Sequence, residues 1–166
     1  MRRPTNGVAL ISILAWIALT CCASIGKLRH AEDANDQDQI GELAIRAVLG
    51  TDRSGKGTFA CLSIDGGDVS DAFLARFADL SAPQMKHDSD CSWWGGSIVF
   101  RRGAFDRVPA WRIDVSGIVI SGNTATADVS LVWGTLGGEY FKARFRRNGA
   151  GAWTLDARDL VEIEES

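Results

Sequence analysis

Two histidines and one tyrosine are all that the 166-residue chain has of these residues, which narrows its chemistry at once. His30 and His87 both fall in polar stretches outside any apolar pattern, so no Ser/His/Asp relay can be assembled around them. Cysteine is also sparse. Of four cysteines, Cys21 and Cys22 adjoin each other in an apolar run, and Cys61 and Cys91 alone do not complete a zinc shell. His87-Asp88-Ser89-Asp90-Cys91 carries metal-capable groups, but neighbours in one loop do not converge on one ion. No metal and no cofactor is expected. Positive charge is not in excess either: 18 Lys and Arg stand against 21 Asp and Glu, which argues against nucleic acid as a partner. Gly50-Thr51-Asp52-Arg53-Ser54-Gly55-Lys56-Gly57 nearly spells a phosphate-binding loop. Gly57, however, replaces the hydroxyl that would hold magnesium, and a helical pattern precedes the loop where a strand is required.

What the chain does have is a leader. Arg2 and Arg3 precede an apolar or small-residue run from Val8 to Ile25, and Thr20-Cys21-Cys22-Ala23-Ser24 supplies the small residues a signal peptidase needs. Residues 1–26 therefore read as an export signal or membrane anchor. Three outcomes are open: lipidation at Cys22 within Leu19-Thr20-Cys21-Cys22, cleavage after Ala23 or Ser24, and retention as an anchor near the ~20 residues a membrane span needs. Lys27 and Arg29 leave too small a charge asymmetry to orient an anchor. The expected location is exported, periplasmic or attached to the outer side of the inner membrane. In that oxidising space Cys61 and Cys91 are most simply a disulfide closing a loop of about 30 residues, with two separately buried thiols as the alternative.

Beyond the leader, residues 27–38 read as a linker and 39–163 as a single domain; 46% hydrophobic residues in the whole chain is ordinary for a globular fold. Ile40, Leu43, Ala44, Ala47 and Val48 recur at helical spacing, closed by Gly50. Phe59 to Ile64 is a short apolar stretch, and Gly66-Gly67-Asp68 a turn into a second helix. That helix carries Val69, Phe73, Phe77 and Leu80 on one face, with Asp68 or Ser70 as its cap and Pro83 as its end. The second half alternates. Ser97 to Arg102, Trp111 to Ser121, Thr124 to Thr135, Glu139 to Arg147 and Trp153 to Ile163 read as strands of an antiparallel meander. Their inner face would be Trp111, Ile113, Val115, Ala125, Ala127, Val129, Leu131, Trp133, Phe141, Ala143, Phe145, Trp153 and Leu155. The fold class is α+β, with N-terminal helices packed on a curved antiparallel sheet.

One helix, a shorter element and long hairpins ending in Gly-Ala-Trp-Thr-Leu-Asp-Ala-Arg-Asp-Leu-Val-Glu-Ile resemble nuclear-transport-factor-2-like, or ketosteroid-isomerase-like, domains over residues 37–163. Ile118 to Ala125, Gly134-Thr135-Leu136-Gly137-Gly138 and the terminal Gly-x-Trp strand carry the closest likeness. Cys61-Leu62-Ser63-Ile64-Asp65-Gly66-Gly67-Asp68 followed by Asp90-Cys91 resembles uncharacterised bacterial exported members of that family. The resemblance implies a cone-shaped fold, and for its enzymes a carboxylate base paired with a tyrosine or protonated acid in an apolar hollow.

Catalytic residues are not expected here. Asp114, Asp128, Glu139 and Tyr140 are read as pointing away from Trp133 and Phe141, and pairing of Leu131 with Phe141 would set Asp128 opposite Arg144. The candidate binding residues are a basic stripe with its aromatic neighbour (Tyr140, Lys142, Arg144 and Arg146, continued by Arg147 and extended by Arg101, Arg102 and Arg112) and the pair Trp93-Trp94. That pair is expected in a mobile loop packed across the open end of the cone, with an exposed recognition tip as the alternative. The function expected is a non-catalytic envelope domain that binds a small molecule or protein partner, attached to the membrane through its leader or a lipid. A ketosteroid-isomerase-like enzyme and an immunity protein that neutralises a toxin are the alternatives.

Overall fold

The computed structural model describes residues 35–50, 58–135, 137–156 and 161–162. The export signal, the lipidation candidate Cys22 and most of the phosphate-loop-like segment lie outside the described residues. From Gln37 onward the chain forms one compact unit. It is a curled, largely antiparallel sheet with a helix packed against it.

The helix, α1, occupies 35–50 and so begins inside the stretch read as linker. Asp36 and Asp38 sit near its start, where the helix dipole favours carboxylates. Its buried stripe is Ile40, Gly41, Ala44, Ile45 and Val48, with Leu43 and Ala47 half-buried. The stripe thus lies slightly round from the one expected. Gly41 lies at the contact: a Cβ there would meet Ile64 Cδ1 at 3.0 Å and Phe73 Cζ at 3.5 Å, so the glycine lets the helix approach without displacing the Ile64 side chain.

Strand β1, Phe59–Ile64, is the main departure from the sequence reading, which put helices first and strands second. It lies one strand in from an end of the sheet, parallel to β6 (Arg107–Ser121) on one edge and to β3 (Gln84–His87) on the other. An unalternating Phe-Ala-Cys-Leu-Ser-Ile run is what a strand covered on both faces looks like. Asp65-Gly66, with φ of 49° and 72°, then turns β1 back into the two-residue β2, Gly67–Asp68. This is the primed turn that Asp-Gly favours in hairpins.

Ser70 caps the expected second helix, its Oγ accepting from Phe73 N at 3.1 Å. The helix is short: α2, Asp71–Leu74, gives way to a 3-10 turn over Ala75–Phe77. Arg46 locks this segment to α1 through a two-pronged pair with Asp79, at 3.0 and 2.9 Å, while a bond to Glu42 at 2.9 Å within α1 steadies its guanidinium. Asp79 is held below the usual carboxylate range by Arg46.

From Ser97 on the strands follow the expected order, whereas Cys91–Trp94 is a strand where a loop is expected, and two short strands stand where one is expected from Trp153 to Ile163. Cys91–Trp94 (β4) pairs with Ser97–Arg101 (β5), and Thr124–Gly134 (β7) lies between β6 and Gly137–Arg147 (β8). Short strands β9, Trp153–Leu155, and β10, Val161–Glu162, both pair with β8. A bulge between Ser116 and Val119, with Gly117 at φ 59°, reverses the parity of β6. Ahead of it Trp111, Ile113 and Val115 face inward; after it Ile118 and Ile120 do, and Val119 is 61% exposed. The inner-face residues expected of β6 to β9 all join the helix-side core, Trp133 and Leu155 being only partly buried.

Candidate functional site

Tyr140, Lys142, Arg144 and Arg146 alternate along β8 on the side away from the core, opposite Ser130, Asp128, Thr126 and Thr124 of β7. The register differs by two residues from the one expected: Phe141 pairs with Val129, and Asp128 therefore meets Lys142 at 2.6 Å and not Arg144. Near the hairpin's end the register has an irregularity between Val132 and Gly134, after which Gly134 pairs with Gly137. A Cβ on Gly137 would collide with the Trp133 indole, so Gly137 lies directly against that ring. Two shallow grooves mark the outer face. One of about 420 Å³ is lined by Ser116, Asp128, Ser130, Tyr140 and Lys142; the other, of about 280 Å³, by Thr124, Thr126, Arg144, Arg146 and Asp156. Each contains both an acid and a base.

Trp93 and Trp94 are strand residues and not part of a loop. They end β4 at the Gly95-Gly96 turn and are 51% and 58% exposed, so they do not pack across an open end. Strand pairing with Ile98 and Ser97 holds their backbone, and the Arg107 guanidinium lies 4.9 Å from the Trp94 ring. Two glycines with positive φ make the turn that presents them.

Glu139 corrects the sequence reading. It shares parity with Phe141, and its partner across the ladder is Leu131, which is fully buried, so Glu139 faces inward. One of its carboxylate oxygens is buried. Trp111 and Trp133 take the inward positions just beyond the Ile113–Leu131 pair, and the Trp111 Nε1 is buried without an acceptor among the described residues. Tyr140 faces the opposite way. Asp114, by contrast, lies off the core as expected, accepting from Ser63 Oγ at 2.6 Å and Gly66 N at 3.1 Å.

His87 and its acidic neighbours do not form a loop. His87 ends β3, with Nδ1 2.8 Å from the Val69 carbonyl and Nε2 2.9 Å from Asp71 Oδ1. Both partners are acceptors, so the doubly protonated ring fits best and Asp71 raises its pKa. Asp68 accepts from Ser89, which lowers its pKa, and Asp88 pairs with Arg112. Each group has a structural partner. Among the described residues no three His, Cys, Asp or Glu side chains group as a metal site would need.

A further groove went unread in the sequence. Cys61 and Cys91 are joined, with Cα atoms 6.2 Å apart. Around the bond lies a second small core of Phe59, Ile98 and Ala110, with Phe100, Val108 and Val132 against it. Phe59 and Phe100 stack with centroids 4.3 Å apart, and Lys86 Nζ rests 5.8 and 5.3 Å from their centres. Beside them opens a groove of about 510 Å³ that Gln84 and Arg102 also line. The signals available were the charge at Lys86 and Arg102, which was read as part of the basic stripe; nothing local shows that β3 would bring Lys86 over two rings fixed by distant strands. No protein-family profile, curated protein or solved structure matches the chain.

Proposed function

We propose that the chain is a nuclear-transport-factor-2-like domain, exported to the cell envelope and attached there through its leader or a lipid on Cys22, that binds a small molecule or protein partner without transforming it. The curled sheet with its packed helix supports the fold, and a Cys61–Cys91 disulfide supports an oxidising compartment. One observation carries the binding role. Among the described residues the fully enclosed positions are apolar except Ser63, and apart from the inward Glu139 the grooves that combine charge with an aromatic ring, at Tyr140–Lys142 and at Phe59–Phe100–Lys86, open on the outer faces. Surface grooves with few fixed polar groups suit recognition more than proton transfer, which needs a shielded acid or base. Native mass spectrometry of the protein isolated from the envelope tests this. A bound molecule released unchanged after incubation is expected; its conversion, or isolation of a full-length reduced chain from the cytoplasm, contradicts the proposal.

Glu139 favours a second reading, a ketosteroid-isomerase-like enzyme. In it Glu139 is the carboxylate base; since Tyr140 faces outward, the Trp111 indole N–H, one of two buried without an acceptor among the described residues, serves as the donor to a developing oxyanion. Isomerisation of an unsaturated ketone, abolished by Glu139→Gln, is the outcome this reading requires.

A further inference from the structure

We propose that the groove between β3 and β5, walled by the stacked Phe59 and Phe100 rings and rimmed by Lys86 and Arg102, binds a planar organic anion: an aromatic or conjugated ring carrying a carboxylate, sulfonate or phosphate. This rests on the reading of the chain as a binding domain and names the ligand class. Three grooves stand out on the described surface, and they differ in one respect. At Tyr140 the Lys142 ammonium is already neutralised by Asp128 at 2.6 Å, and the Arg146 groove is lined by Asp156. The third has two cations and no acid in its lining.

The acids near β3 are engaged elsewhere. Asp71 meets His87, Asp68 meets Ser89 and Asp88 meets Arg112. Among the described residues, Lys86 has ring faces where an ion pair would normally be. A cation so placed is attracted by the aromatic quadrupole yet keeps its N–H donors available to an anion. Arg102 adds a planar fork suited to a carboxylate or sulfonate. Phe100 is only partly buried, so its ring supplies apolar surface for a flat ligand, and Gln84 supplies an amide at the rim. A volume of about 510 Å³ suits one or two fused rings.

Calorimetric titration of the full chain with naphthalene-2-sulfonate, inorganic sulfate and neutral 2-naphthalenemethanol tests the proposal. The sulfonate is expected to bind saturably and more tightly than either of the others. Lys86→Gln and Arg102→Gln should each weaken it about tenfold, and Phe100→Leu should weaken the sulfonate without altering sulfate. Lys142→Gln should change nothing, and retained melting temperatures show that the variants fold. Sulfate binding as tightly as the sulfonate overturns the ring component, and equal binding of the neutral compound overturns the anionic one. Binding lost in Lys142→Gln but kept in Lys86→Gln moves the ligand to the β7–β8 face; this refutes the groove and leaves the binding-domain reading standing. No saturation by about 10 mM refutes the groove for this class while leaving a protein partner open to the envelope experiment above.

Discussion

The two faces of β1 are held by different means. On one, Ala60 and Leu62 join a core shared by α1, α2 and the inward residues of β6 to β9. On the other, Phe59 and Cys61 join a cluster with only five buried residues among those described, two of them the bonded cysteines. The first is wide enough to be stabilised by apolar burial alone, since each large side chain there contributes about 2 to 3 kcal/mol. The second is not. A covalent bond and two stacked rings do there what bulk packing does behind the helix. That economy leaves the smaller cluster partly open, and the opening is the groove beside Lys86.

The largest effect that would break this contrast is in the helix-side core. Phe73→Ala, at a side chain 2% exposed against Gly41, should cost about 3 to 5 kcal/mol in chemical denaturation; a loss below about 1 kcal/mol would mean that this core is not the main support. Next comes the disulfide. Replacing Cys61 and Cys91 by alanine opens a loop with a separation of 30 residues and should cost roughly 3 kcal/mol. Hydrogen exchange should then rise in β4 and β5 while α1 and β7 stay protected, and a uniform rise would erase the distinction between the two faces. Gly117→Ala is smaller, about 1 to 2 kcal/mol, because φ of 59° disfavours a side chain and its Cβ would lie 3.3 Å from Asp128 Oδ2.

The smallest effect is electrostatic. Asp71, and then the Val69 carbonyl, raise the pKa of His87. A raised pKa means that the folded state binds the proton more tightly than the unfolded one, so this stabilisation is complete below the ordinary histidine value. It is lost as pH rises through the raised value. The melting temperature should therefore fall slightly between about pH 6 and pH 8, and Asp71→Asn should flatten the change. The reverse slope would show that His87 is not held as its contacts indicate.

Local pattern made the helix-side core legible and left the other face obscure. Alternation placed Ala125 to Leu131 and Phe141 to Phe145 on the inner face because a half-buried strand shows every second residue to solvent. It missed β1, where both neighbours bury their side chains and no period survives. Asp65-Gly66 carried the hairpin signal but was overshadowed by Gly66-Gly67-Asp68. The basic stripe was legible as a stripe, but its partners were not, since a two-residue shift in the β7–β8 register moved Asp128 from Arg144 to Lys142. Glu139 needed no structure: counting from Phe141 assigns it to the inner face. The Lys86 groove did, because its walls come from strands far apart in the chain.

Most directly at issue is which surface of the curled sheet receives a ligand. Chemical-shift mapping of the isotopically labelled protein with naphthalene-2-sulfonate decides it. Perturbations concentrated at Gln84, Lys86, Phe100 and Arg102 are predicted, with the indole signals of Trp111 and Trp133 unmoved. Shifts centred on Trp111, Trp133 and Glu139 would contradict the account by placing the ligand inside the curl.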